Sequence, residues 1–327
     1  MNDTIKSIAT LLKDLDGILI FPHVNMDGDA LGSATALCLA LRQMGKKVHV
    51  MINEPIPKNL DFLDFSCTTE DDSVLDEVQL SLMLDCNGSN RIPGREEAFN
   101  RGKLKGCIDH HQNKSSDIRF DFVRVEPKSA ATGEIVYNLI KALGVEINLD
   151  IANCIFTAIT TDTGNFQHSN TTRRSHDIVG HLYNIEGFNS KAISALIYDR
   201  KSKEALKMES IILANLNYYD DGRVAVGRIT QSLLNEVGCT MDESEGIVQH
   251  IMSIEGVEVG CLIKESEINT RASLRARTYA NVEQVARKFG GGGHILAAGC
   301  NFDESLSVDD AEKTIVPELI KAVHKAG

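Results

Sequence analysis

Short apolar runs broken by glycine, asparagine and aspartate set the rhythm of the first half of the chain. GILIF at 17–21 reads as a strand buried on both sides, and the stretch 30–44 as an apolar-rich helix closed by Gly45. KVHVMI at 47–52, LSLML at 80–84 and LKGCI at 104–108 give three more strands. Residues 133–143 read as a helix stopped by Gly144, and 151–159 are apolar enough for a buried helix. Strands alternating with helices predict an α/β fold, a mostly parallel sheet with helices on both faces. Ligands in such sheets sit beyond the carboxyl ends of the strands.

Between 186 and 207 the pattern loosens into polar helical segments that read as a linker. Beyond it, 224–229, 257–263 and 270–277 read as strands, and 282–288 and 308–324 as helices. The expected organisation is therefore a first domain over 1–185, a helical linker over 186–207 and a smaller α+β domain over 208–327.

Composition narrows the class. With 43% hydrophobic and 24% charged residues, the 327-residue chain suits a soluble globular protein and excludes a disordered or fibrous one. The longest weakly polar stretch, 31–41, falls short of the roughly 20 residues needed to cross a bilayer, and the acidic first segment is not expected to be an export leader. Eight cysteines without a C-x-x-C pair suit reduced thiols in a cytoplasm better than a disulfide framework or a zinc site. A net charge of −12 argues against a positive coat for gripping long nucleic acid.

Several acids stand where a parallel sheet would place a ligand. His23, Asp27 and Asp29 lie on the turn after the first strand, Asp85 and Asp109 follow two later ones, and Asp162 follows a buried helix. Neutral imidazole with carboxylates at this density suits a divalent cation, although Asp and Gly are also ordinary turn residues. Gly28 permits a tight turn, so that Asp27 and Asp29 can face different ions, and the positive end of the following helix suits a phosphate. In Asp109-His110-His111 the adjacent rings are expected to point in opposite directions, one to metal and one to substrate, with Asp109 orienting the ligating ring. A buried carboxylate at Asp162 needs a partner or a metal. The remaining histidines, 49, 168, 176, 181, 250 and 324, read as structural.

H-x-x-x-D-x-D, a strand-ending Asp, D-H-H and T-D-T-G, in that order, resemble the DHH phosphoesterase superfamily. Phe289 and the glycines 290–293, then His294 and Ala297-Ala298-Gly299, resemble its associated C-terminal domain, and the compact length is most similar to the oligoribonuclease (nanoRNase) and pAp-phosphatase branch. The resemblance implies two metal ions, usually manganese, with magnesium or cobalt as alternatives. It implies that His23, Asp27 and Asp85 hold one ion, and that Asp29, Asp85, His110 and Asp162 hold the other, with Asp85 bridging. His111 would then face the scissile phosphate, with Asp109 behind it as the second catalytic residue. Two cations roughly 3.5–4 Å apart can lower the pKa of a bridging water and neutralise phosphate charge.

In the second domain, Arg271, Ser273, Arg275, Arg277 and Tyr279 alternate with small apolar residues, so a cationic face is expected, with Tyr279 free to stack on a base. Gly291, Gly292 and Gly293 offer backbone amides to an anion beside Arg275, and His294 adds a donor. Without the Lys-Ser/Thr ending of a P-loop, the glycine run does not indicate an ATPase. The expected substrates are short RNA, cleaved to 5′-mononucleotides, and 3′-phosphoadenosine 5′-phosphate (pAp), cleaved to AMP and phosphate. Cyclic or linear dinucleotides, a RecJ-like single-strand exonuclease and a non-catalytic nucleotide sensor are the alternatives. No long duplex and no membrane is expected as a partner, and a homodimer is left open.

Overall fold

The computed structural model describes residues 2–111, 116–244, 246–266, 269–302 and 306–325. The chain divides into two compact units, Met1–Arg200 and Lys201–Gly327.

The first unit runs α1 (Ile5–Asp14), β1 (Ile18–Phe21), α2 (Gly28–Gln43), β2 (Val48–Met51), β3 (Thr68–Thr69), β4 (Leu80–Leu84), α3 (Glu96–Asn100), β5 (Leu104–Asp109), β6 (Phe122–Val125), α4 (Thr132–Leu143), α5 (Leu149–Asp162), α6 (Arg173–Leu182) and α7 (Ser190–Tyr198). Its six strands pair in the order β3-β2-β1-β4-β5-β6, every pairing parallel. The order reverses between β1 and β4, which opens a crevice at their carboxyl ends. Every residue of β1 and β4 is buried, as central parallel strands require. Ile18, Ile20, Leu80 and Leu82 face a core built with α1, α2, α4 and α5, whereas Leu19, Phe21 and Met83 face a smaller one with α3 and its flanking loops. Helices thus cover both faces, unequally.

Two glycines of α2 decide how closely it packs on α5. A Cβ at Gly28 would meet the Thr161 side chain at 2.4 Å, and one at Gly32 would meet the Cys154 carbonyl oxygen at 2.5 Å. Their lack of a side chain brings the start of one helix beside the end of the other. Gly28 is therefore required by close approach, not by the tight turn expected from sequence.

The second unit contains α8 (Lys203–Ala214), β7 (Asn217–Tyr219), β8 (Val224–Ile229), α9 (Gln231–Val237), α10 (Ile247–Met252), β9 (Val259–Glu265), β10 (Thr270–Ala276), α11 (Val282–Lys288), β11 (Gly292–His294), β12 (Ala297–Asn301) and α12 (Val308–His324). The strands order as β11-β12-β10-β9-β8-β7, with β8 and β9 parallel and the rest antiparallel. Cys261, Ile263, Ala272, Leu274 and Ala298 pack under α11 and α12. On the opposite face, Ala225, Ile229 and Leu262 pack under α8, α9 and α10. That second layer lies mainly over β8 and β9 and meets β10 only through α10. Among the described residues, no helix is long and apolar enough to cross a membrane.

Glu258 ties this sheet to the start of α11. Its carboxylate accepts the amide hydrogens of Thr278, Tyr279 and Ala280 at 2.9–3.2 Å, and the Thr278 hydroxyl at 2.9 Å. Burial raises its pKa, but these donors outweigh burial and hold it below the ordinary glutamate value. A depressed folded pKa gives stability that is present above the unfolded value and lost as pH falls through the folded one. Glu258→Gln is expected to cost about 1–2 kcal/mol at neutral pH, with the gap narrowing as pH falls below the ordinary glutamate value. Urea melts across pH 3–8 check this, and a constant gap down to pH 3 contradicts it.

Candidate metal centre

The site grows out of the switch crevice. His23 lies two residues past β1, Asp85 directly follows β4, and Asp109 ends β5 with His110 and His111 next in line. α2 supplies Asp29 and, at its cap, Asp27; α5 supplies Asp162 as its last residue. Residues as distant in sequence as His23 and Asp162 meet because the parallel strands all end on one side.

The donor atoms fall into overlapping groups. Those of His23, Asp27 and Asp85 lie within 4.8 Å of one another, as do those of Asp29, His110 and Asp162, and those of Asp85, His110 and His111. His23 Nε2 is 3.4 Å from Asp85 Oδ2 and 3.7 Å from Asp27 Oδ2. His110 Nε2 is 3.1 Å from Asp162 Oδ2, 3.5 Å from Asp85 Oδ1 and 3.7 Å from Asp29 Oδ2. Asp85 thus faces both sets, one oxygen to each. It holds a left-handed backbone, φ 61°, a conformation uncommon outside glycine that concentrates at functional sites.

Electrostatics shows how the cluster shares its charge. Burial disfavours charge on the histidines, yet the acids around them prevail. Asp27 and Asp85 raise His23 to about 10, and Asp162, Asp29 and Asp85 raise His110 to about 11. Asp29 is pushed well above the usual carboxylate range by burial and then by Asp85 and Asp162. Asp162 rises to about 6, led by burial, whereas His23 outweighs burial to hold Asp27 low. The acids retain protons, or keep them on adjacent rings, to limit their mutual repulsion. Oxygen-rich sets with one imidazole each are donors that hard to borderline divalent cations accept, so the residues fit metal ions.

Three expectations are corrected by the geometry. The helix α2 starts at Gly28, and Asp27 Oδ1 accepts its early amides from Asp29 and Ala30 at 3.1 and 2.9 Å, so Asp27, not a phosphate, takes that end of the helix. His110 and His111 do not point apart: they lie beyond the strand, where alternation lapses, and their rings sit 4.6 Å apart. Asp109 orients His111, as the resemblance implied, and not the ligating His110: it accepts from His111 Nδ1 at 2.7 Å and its amide at 3.0 Å, while His110 Nδ1 donates to the Ser129 carbonyl at 3.2 Å.

Sequence reasoning missed Thr132. Its hydroxyl donates to Asp85 Oδ1 at 2.8 Å and its amide to Asp29 Oδ2 at 2.6 Å, beside the Gly133 amide on Asp29 Oδ1 at 2.8 Å. A signal was present: Ala131, at the cap of α4, has no side chain to satisfy the helix's first amides, which are left for a group elsewhere.

The six other histidines have structural surroundings. His49 meets Arg42, His181 meets Tyr137, His250 meets Glu209 and His324 meets Asp220, while His176 stacks on Phe166. The His168 ring covers Gly164, and its Nδ1 contacts the Asp162 carbonyl at 3.3 Å.

In the second unit, Arg275 lies opposite Ala297, which lies opposite His294, so the two donors flank Ala297 on the face beyond the α8–α10 layer. Arg275 is half-buried and His294 exposed. Arg277 leaves the expected cationic set, because its guanidinium donates to the carbonyls of Met252, Ile254 and Val257 around the end of α10. The glycine run is partly committed to packing and pairing, while Gly292 keeps open space on the edge strand. The Gly290 and Gly291 amides close the end of α11, a Cβ at Gly291 would meet the Gly299 carbonyl oxygen at 2.1 Å, and Gly292 and Gly293 form β11. Tyr279 lies past the end of β10 and lines a hollow of about 300 Å³ against α11 and α12.

Residues 17–159 match the DHH family, N-terminal domain, and residues 220–324 match the DHHA1 domain. The chain is 29% identical to the bifunctional oligoribonuclease and PAP phosphatase NrnA of Thermus thermophilus, across 99% of this chain and 96% of that one. It is 27% identical to the protein of the same name from Bacillus subtilis, across 92% and 93%. It also superposes on the crystal structure of an exopolyphosphatase-related protein from Bacteroides fragilis with a TM-score of 0.89, at 27% identity over 97% of this chain and 96% of that one. With both domains in sequence order and the acid–histidine cluster at the switch crevice, the chain belongs to the DHH family of metal-dependent phosphoesterases, with a DHHA1 domain as its C-terminal part.

Proposed function

We propose that this protein is a two-metal phosphoesterase that hydrolyses short oligoribonucleotides to 5′-mononucleotides and pAp to AMP and phosphate. The observation that carries the reading is the pair of donor sets sharing Asp85. His23, Asp27 and Asp85 would hold one cation, and Asp29, Asp85, His110 and Asp162 the other, manganese being favoured. When bound, such ions acidify water and neutralise the charge that grows on phosphate oxygens. The chain's own residues supply the rest. With Nδ1 committed to Asp109, His111 exchanges protons through Nε2, where it can donate to a phosphate or leaving oxygen. Asp109 holds that ring in one orientation. The names of the relatives from Thermus thermophilus and Bacillus subtilis support the substrate class. All eight cysteines are free, seven of them buried, which supports a reducing, cytoplasmic setting.

Arg275, in reach of the row containing His294, is proposed to grip a substrate phosphate. Arg275→Ala is expected to raise KM about 10-fold or more while lowering kcat less, since it removes binding common to ground and transition states. A kcat loss with unchanged KM contradicts that role.

The test of the function is a parallel incubation of the protein and Mn²⁺ with a five-nucleotide RNA, pAp, cyclic di-AMP and pyrophosphate. Release of mononucleotides from the RNA and phosphate from pAp is expected. Turnover of pyrophosphate or the cyclic dinucleotide alone reassigns the substrate, and no turnover at all removes the enzymatic reading.

A further inference from the structure

We infer that the turn at residues 129–133, with Thr132 at its centre, is a positioning device that fixes one of the two donor sets before any cation arrives. This rests on the two-metal reading of the site and goes beyond it. The turn reaches three members of one set directly and the backbone of the fourth through a neighbour. The Ser129 carbonyl accepts from His110 Nδ1 at 3.2 Å, Thr132 holds Asp85 and Asp29, and Gly133 holds the second oxygen of Asp29. For Asp162, the link is Asn170, whose Nδ2 donates to the carbonyls of both Ala130 and Asp162, each at 3.1 Å.

The turn is itself anchored. Ser129 donates to Glu134 Oε2 at 2.8 Å, and Ser175 donates to Glu134 Oε1 at 2.6 Å, in a region where Glu134 and Ser175 are fully buried. His23 and Asp27 have no such support from the turn among the described contacts. His23 Nδ1 donates to the adjacent Val24 carbonyl at 2.8 Å, and Asp27 is held by amides of its own helix, its side chain 54% exposed. Apart from the shared Asp85, one position is thus held by distant, buried partners, and the other by neighbours in sequence, with Asp27 exposed. Groups that orient ligands from behind typically contribute 10–100-fold in metal affinity.

Thr132→Val keeps the side-chain shape and both backbone amides on Asp29 while deleting the hydroxyl donor to Asp85. Mn²⁺ affinity, measured by calorimetry on metal-free protein, is expected to fall 10–100-fold, and Thr132→Ser to restore most of it. Raising Mn²⁺ should recover turnover by the valine variant, which a merely misfolded protein would not do. Wild-type affinity in Thr132→Val, or equal weakness in Thr132→Ser, overturns the inference. If the valine variant is insoluble, Asn170→Ala takes its place: weakened Mn²⁺ binding supports the device, and unchanged binding overturns it. Failure of the wild type to bind Mn²⁺ overturns the metal reading itself, and this inference with it.

Discussion

Asp85→Asn is expected to lower kcat/KM on every cleaved substrate by on the order of 10³-fold or more, about 4 kcal/mol of transition-state stabilisation. Asparagine is the informative replacement because it tolerates the left-handed backbone that Asp85 adopts, φ 61°, and can still accept the Thr132 hydroxyl. Alanine would add backbone strain to the loss of the carboxylate and confuse the two. Since Asp85 faces both His23 and His110, removing its charge weakens both donor sets together. Binding a cation stabilises the native state by about 2.7 kcal/mol at 100-fold excess over Kd, so Mn²⁺ should raise the melting temperature of the wild type by roughly 5–10 °C. The asparagine variant should show little of that rise. Hydrolysis and the Mn²⁺-dependent melt, read on one preparation, check both halves; retained activity contradicts the metal assignment.

The second large effect is expected at Gly32→Ala. The added Cβ would meet the Cys154 carbonyl oxygen at 2.5 Å and the Ala158 amide nitrogen at 3.0 Å, both backbone atoms that no rotamer change can move aside. Overpacking of this kind costs about 1–3 kcal/mol, and the upper end is expected where two helix backbones must separate. A loss of about 3 kcal/mol lowers the melting temperature by roughly 6–12 °C in a protein of this size. Because α2 carries Asp29 and α5 carries Asp162, separating the helices also draws donors of one set apart, so Mn²⁺ affinity should fall with stability. Thermal melts with and without Mn²⁺ measure both, and an unchanged melting temperature contradicts the packing argument.

The strands and long helices of the first unit were legible because central parallel strands are apolar throughout and leave runs such as LSLML, which the structure buries at every position. The crevice rule pointed to His23, Asp27, Asp85 and Asp109, whereas the full donor sets came from the resemblance. What the sequence concealed depends on contacts between distant residues. Thr132 and Asp29 are 103 positions apart, and no spacing rule links them. The strand β3, two residues long, and β11, three long, are too short to leave a period. The packing role of Gly291 was hidden because glycine serves equally for anion access and for close backbone approach, and only the position of Gly299 reveals the second. Arg277 was misread because alternation places a side chain on a face without showing that helix carbonyls already wait there.

The order in which the donors leave the ribosome has a bearing on how the site is filled. His23, Asp27, Asp29, Asp85 and His110 are synthesised first, the turn that orients several of them comes next at 129–133, and Asp162 is the last residue of α5. A nascent chain that has not yet reached α5 has acids but no complete cage, and its sheet still lacks the helix against which α2 packs. In contrast to small domains whose few residues close around a metal as they fold, the donors of this cluster are gathered by a sheet and two helices, so the cage is complete only once that scaffold is formed.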